Sequence, residues 1–296
     1  MKNLFILSFL LLLLTACESY FQDDFEEVVV IESYLVANRS LPVVTVSKIL
    51  PADVEYSLRD AAITDANVFI SLIDENGDPV EIFPYFLSSS NLGEYTPVDP
   101  SHVVLPTRRY RLDVSFNSRN EIISASTTVP DQLNVTNQVE SEVVYQSEEQ
   151  LEIVLSPTVQ TQAQKFFVFD TISLEPDESN LTPFYSAAVL NGNAALSDFV
   201  KNSSGLINEG NFMISQDGSI SLNFPWIGAA FYGDNLIVTN SVDTALSEFV
   251  RSQDVQLGGS TLSPGEIPNL VYNIEGGIGI FGSISSDTVQ TRFLRP

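Results

Sequence analysis

The chain has 296 residues, 44% of them apolar, enough to build one large domain or two ordinary ones. It carries 38 acidic residues against 13 basic ones, a net charge of −25. Such a surface repels phosphate and lacks the lysines and arginines that displace counterions, which excludes a nucleic-acid binder and electrostatic attachment to anionic lipid.

Lys2 is followed after Asn3 by an apolar run from Leu4 to Leu14 and then Thr15-Ala16-Cys17. A short basic region, an apolar stretch and small residues before a cut site form a secretory leader. The apolar run is shorter than the ~20 residues a helix needs to cross a hydrocarbon core. Cys17 is the only cysteine. Leu14-Thr15-Ala16-Cys17 resembles the lipobox of bacterial lipoproteins, in which that thiol takes a diacylglyceryl group and the freed amine is acylated. Residues 1–16 are therefore read as a signal peptide and Cys17 as the lipidation site. Stable attachment needs more than one acyl chain, each buried methylene contributing ~0.8 kcal/mol. With Cys17 acylated, no disulfide, thiolate metal site or cysteine nucleophile is left.

Residues 17–27 are acidic, with no lysine or arginine. Two readings stand: a solvated tether, or an export address, because Gln22-Asp23-Asp24-Phe25-Glu26 resembles the acidic signal that sends some lipoproteins to the cell surface.

From Val28 onward the pattern is short, β-branched and mostly of period two. Strands are predicted over 28–36, 43–49, 66–73, 109–116 and 121–129, with 117–120 as a turn. Asn76-Gly77 predicts a tight hairpin with positive φ at both residues. Pro130 suits a boundary, so 28–130 is predicted as an immunoglobulin-like or transthyretin-like β-sandwich. Residues 131–296 read as a second β-rich domain, with strands over 151–155, 165–174, 212–215, 219–224, 235–239, 278–283 and 288–294. Val242, Ala245, Leu246, Phe249 and Val250 form one apolar helical stripe that Ser241 or Asn240 would cap. A weaker helix is predicted over 194–201, with Leu196, Phe199 and Val200 inward.

Four constellations invite chemistry. Gly277-Ile278-Gly279-Ile280-Phe281-Gly282 matches G-x-G-x-x-G. A dinucleotide site needs a helix after that motif and an acidic residue about 20 positions on. The chain ends at Pro296 and the intervening residues read as strand, so a glycine-rich strand approached closely by another backbone is the better reading. Asp74, Asn76 and Asp78 alternate like the start of a calcium loop, but Pro79 follows and the distal glutamate is missing, which favours a turn. His102 is the only histidine, and no G-x-S-x-G elbow accompanies it, so neither a zinc site nor a Ser-His-Asp triad is supported. Phe224-Pro225-Trp226 and Phe231-Tyr232 read mainly as core, with stacking on a ligand as the other reading. No catalytic residue, metal ligand or cofactor is expected, and the chain is not read as an enzyme.

Four stretches together resemble the Bacteroidota outer-membrane lipoprotein family catalogued as domain of unknown function 4249. They are the lipobox Cys17; Val28-Val29-Val30-Ile31-Glu32-Ser33-Tyr34-Leu35, where the family usually has a glycine at the position of Ser33; the series Asp65-Ala66-Asn67-Val68, Asn76-Gly77, Gly93-Glu94-Tyr95 and Tyr110-Arg111-Leu112; and Asn273-Ile274-Glu275-Gly276-Gly277-Ile278-Gly279-Ile280-Phe281-Gly282. The resemblance brings no catalytic residues. It implies a lipid-anchored outer-membrane protein that accompanies a TonB-dependent transporter as a binding or accessory subunit, with a structural or adhesive surface module as the alternative. Asp170-Thr171-Ile172, Asp243-Thr244-Ala245 and Asp287-Thr288-Val289 also resemble the short O-glycosylation motif of exported Bacteroidota proteins.

Mass spectrometry of the mature product is expected to find residue 17 as an acylated N-terminus. An intact leader or a bare thiol would remove the anchor.

Overall fold

The computed structural model describes residues 25–157, 165–256 and 269–296. Cys17, Gln22, Asp23 and Asp24 lie outside the described residues. The fold is mainly β, with two sandwich-like halves, each around its own core.

The first half contains β1 (Val29–Val36), β2 (Val44–Lys48), β3 (Ala66–Ile73), β4 (Pro79–Leu87), β5 (Glu94–Pro97), β6 (Arg109–Phe116) and β7 (Ile122–Thr128). The predicted strands lie within a residue or two of these bounds. β4 pairs with β5 through 85–87 and with β3 through 79–84, so it turns the corner between the two layers. Alternation is clean where one face is wet: Tyr110, Leu112, Val114 and Phe116 of β6 are buried and the residues between them are not. They meet Ile31, Leu35 and Val44 from the other layer. Ser33 is 2% exposed in β1, and its hydroxyl donates to the Val43 carbonyl at 2.9 Å, which satisfies a buried polar group.

The β3–β4 hairpin forms, but not as the expected two-residue turn. Only Gly77 has positive φ, +88°. The Asp74 carboxylate accepts from the Asn76 and Asp78 amides at 2.9 Å each, and this side-chain capping stabilises a longer loop in which Asn76 needs no strained backbone.

The second half contains β8 (Glu142–Val144), β9 (Glu152–Leu155), β10 (Phe166–Ser173), β11 (Lys201–Ser203), β12 (Ile207–Asn208), β13 (Met213–Ile214), β14 (Ile220–Asn223) and β15 (Gly233–Val242). β10 lies between β15 and the short strands β11 and β12. β13, β14 and β9 form a separate three-stranded sheet that packs over them.

β16 (Ile274–Glu275) and β17 (Ile278–Leu294) return to the first half. β16 pairs with β7. β17 is one 17-residue strand where the sequence predicts two. Its first part runs parallel to β1, from Val30 opposite Ile278 to Val36 opposite Ile284. From Ile284 to Phe293 it pairs antiparallel with β15. Ile274 and Phe281 thus belong to the first core, and Phe293 to the second.

The glycine run is explained here. A Cβ on Gly277 would meet the Val29 carbonyl oxygen at 2.9 Å. Gly279 has φ +114°, and a Cβ there would be driven into the carbonyl of Ile31. Close approach of β1 therefore demands glycine, as the strand reading expects.

The predicted amphipathic helix spans Thr244–Asp254, but Asp243 caps it, accepting from Leu246 N at 2.9 Å. Asn240 and Ser241 still belong to β15, where they pair with Ser286 and Ser285 of β17. The helix buries Ser247 and Ser252 most fully, while the predicted apolar stripe is only half-buried. Over 194–201 the expected helix shortens to one 3-10 turn, Leu196–Phe199, since Lys201 already opens β11. Leu196 and Phe199 do turn inward, onto Tyr185 of a helix the sequence reading missed, Pro183–Leu190. No helix among the described residues is long and apolar enough to cross a membrane.

Asp243 is 8% exposed at the junction of the halves. The Thr127 hydroxyl of β7 donates to its carboxylate and lies 2.6 Å from the Ser283 hydroxyl of β17. The Asp243 amide donates to the Ser283 carbonyl at 3.0 Å. Burial holds the Asp243 carboxyl above its ordinary 3.8, against the opposing hydrogen bonds. The native state therefore takes up this proton at a higher pH than the unfolded chain does. Its contribution to stability grows as pH falls through the window from the raised value down to 3.8 and is smallest above that window. The wild-type advantage over Asp243→Asn in urea unfolding should widen on acidification through that window; a gap that narrows instead would contradict this assignment.

Candidate functional site

A cleft of ≈ 860 Å³ opens in the second half between the edge of the larger sheet and the three-stranded sheet. The sandwich cannot close there because β11, β12 and β13 are two or three residues long. Phe169, Leu222 and Phe224 form the buried floor. Phe212 lies edge-on to Phe169 at 5.7 Å between ring centres. Met213 and Ile227 are 66% and 58% exposed at the mouth. Gly228 lets the Trp226–Gly228 turn press on the floor, since a Cβ there would meet the Phe224 ring at 2.5 Å.

One polar cluster holds the wall. The Asn202 amide donates to the Tyr185 hydroxyl at 2.7 Å and reaches the carbonyls of Ile227 and Gly228 at 3.1 and 2.9 Å. The Tyr185 hydroxyl in turn donates to Ile227 O at 2.6 Å. Burial raises the Tyr185 pKa, so this hydroxyl stays a donor at neutral pH. Among the described lining residues there is no Asp, Glu, His, Lys or Arg. The arrangement suits an apolar ligand oriented by a few neutral hydrogen-bonding groups.

The residues singled out by sequence fall elsewhere. His102 contacts the Tyr110 hydroxyl at 2.9 Å and packs tilted against Phe83 at 4.1 Å between ring centres, in the first half. Burial lowers its pKa against the pull of Glu81, so it is a neutral packing group beside the first core. Phe224, Phe231 and Tyr232 are core, as read. Trp226 is half-buried against Tyr145 and Phe293, and Pro225 lines the cleft. Of the acidic leader, Phe25 and Glu26 are exposed. Glu27 is pinned by Lys48 at 2.7 Å and Arg119 at 3.2 Å, and its pKa is lowered chiefly by the Lys48 hydrogen bond. Of the three glycosylation-like threonines, Thr171 is buried in β10, whereas Thr244 and Thr288 are exposed. Apart from Thr171, Phe224 and Pro225, sequence reasoning missed the cleft, because its walls come from short runs separated along the chain from 169 to 228.

The family described as "Domain of unknown function (DUF4249)" matches residues 18–290. The chain belongs to this family. Nothing among the curated proteins matches this member. Solved structures give distant likenesses only. Salmonella alpha-2-macroglobulin reacted with methylamine is 11% identical, with a TM-score of 0.24, over 91% of this chain and 15% of that one. Escherichia coli alpha-2-macroglobulin activated by porcine elastase is 10% identical, with a TM-score of 0.25, over 91% and 23%. The chicken CNTN1 FN1-FN3 domains are 11% identical, with a TM-score of 0.24, over 88% and 66%. The chain thus spans less than a quarter of the macroglobulin chains it matches.

Asn202→Leu leaves the half-buried Gly228 carbonyl and Tyr185 hydroxyl without the amide donor and leaves Ile227 O with the tyrosine alone. It should destabilise the protein by ~1–3 kcal/mol in urea titration. An unchanged midpoint would mean that this cluster does not hold the cleft wall.

Proposed function

We propose that this family member is a non-enzymatic binding subunit, tethered to the outer membrane by acyl chains on Cys17, whose second half takes an apolar ligand. One observation carries the reading: the uncharged lining of the cleft. General acid–base chemistry needs a titratable group near neutral pH at the reacting atoms. Among the described lining residues the only titratable group is a tyrosine whose pKa burial raises further. The acidic tether, residues 17–27, is the spacer of this proposal, and the ion pairs of its last residue, Glu27, with Lys48 and Arg119 support its joining the first half there. Partnership with a TonB-dependent transporter belongs to the same proposal and rests on the family resemblance; exposure at the cell surface rests on the acidic leader.

Two measurements test it. The neutral apolar dye N-phenyl-1-naphthylamine should bind saturably, and Ile227→Glu at the exposed mouth should weaken it about tenfold or more. Equal binding by the variant would place the dye elsewhere and remove the cleft from the proposal. The native protein, extracted in detergent, should bring a TonB-dependent transporter with it; recovery of the protein alone would remove the accessory role.

A further inference from the structure

In a chain with 13 basic residues, Arg108, Arg109 and Arg111 fall within four positions. Arg109 and Arg111 are two apart on β6 and project from its outer face, opposite the buried Tyr110 and Leu112. They border a groove of ≈ 470 Å³ whose other wall is Tyr272 to Glu275. On β7, Thr128 stands opposite Arg109, Ser126 opposite Arg111 and Ser124 opposite Asp113. The far wall is fixed: Asn273 exchanges hydrogen bonds with the Phe281 backbone at 2.8 and 3.0 Å.

The two arginines differ in their commitments. Arg111 gives Nε to Asp113 at 2.8 Å and Nη1 to the Gly77 carbonyl at 3.2 Å. Arg109 is exposed and has no ion pair among the described residues. Glu275 lies across the groove, its carboxylate 3.4 Å from the Ser124 hydroxyl. The groove therefore offers one free guanidinium, one carboxylate acceptor and several hydroxyls.

We propose that this groove is a second binding site, distinct from the apolar cleft, for a polyhydroxylated ligand bearing one carboxylate: a uronic-acid unit. The planar guanidinium of Arg109 pairs bidentately with a carboxylate. Glu275 and the serine hydroxyls take the ligand's hydroxyl groups. Glu275 and Asp113 offset the positive charge of the arginines, which disfavours a doubly charged phosphate and suits a singly charged ligand. Because the groove shares no residue with the cleft, its occupancy stands apart from the function proposed above.

Titration of the whole mature chain with D-glucuronate, D-glucose and acetate, followed by amide NMR, tests this directly. Ser124, Ser126 and Asn273 should shift saturably with glucuronate at concentrations about tenfold lower than with either other probe. Arg109→Gln should reduce glucuronate to the level of glucose while leaving the Trp226 unfolding transition in place. Ile227→Glu should leave the glucuronate shifts intact. Acetate as potent as glucuronate would reduce the site to an incidental anion contact. Glucose as potent would remove the arginine from recognition. Full binding by Arg109→Gln, or no shift with any probe, would overturn the proposal.

Discussion

The parallel pairing of β1 with β17 sets how the two halves of this fold are joined. Residues 30–36 lie beside 278–284, at opposite ends of the chain. Antiparallel neighbours can be joined by a short turn, whereas parallel ones need a connection that crosses over. Here that connection is nearly the whole protein, including the second half. Glycine makes the approach possible, because the carbonyls of Val29 and Ile31 occupy the space that side chains at 277 and 279 would need. Once placed, β17 continues past Ile284 to pair with β15, so one strand enters both cores.

Between the two cores β17 passes Ser283, Ser285, Ser286 and Asp287. In the sequence this run reads as a break, and two strands are predicted where one forms. Each polar side chain has a partner. Ser283 donates to Thr128 O at 3.1 Å, Ser285 accepts from Leu133 N at 3.0 Å, Ser286 donates to Asn240 at 2.6 Å and Asp287 accepts from Val135 N at 2.6 Å. The junction is thus a polar seam held by hydrogen bonds, and Asp243 belongs to it. Such seams stabilise only when fully satisfied, which ties the capping of the 244–254 helix to the placement of both sheets.

What was legible in the sequence was local. Period-two strands such as 109–116 and 121–129 appear within a residue of where they are predicted, because one face of each is buried and the other is wet. The glycine run was correctly read as a close backbone approach. Long-range pairing was not legible: nothing near Val30 announces Ile278. The predicted division at Pro130 places residues 274–284 with the second unit, while the structure packs Ile274 and Phe281 in the first core. The Pro183–Leu190 helix was missed because its sequence, PFYSAAVL, lacks a one-sided apolar stripe. The cleft was invisible for a related reason. It arises where β11, β12 and β13 are too short to close the sandwich, and shortness of that kind has no residue signature.

Both proposed binding surfaces, the apolar cleft and the polar groove, rest on walls that β17 helps to position, through β15 in one half and through Phe281 and Asn273 in the other. By entering both cores, this strand couples the halves into one folding unit. Gly279→Val tests it most directly, because it strikes the pairing with β1 while the only tryptophan, Trp226, reports from the second core beside Phe293. A forced side chain at that φ should cost roughly 2–4 kcal/mol. Coupled halves predict that the Trp226 fluorescence transition in urea moves to lower denaturant together with the first-half amide signals. A Trp226 transition that stays where it is while the first half melts earlier would show two independent units and contradict the account.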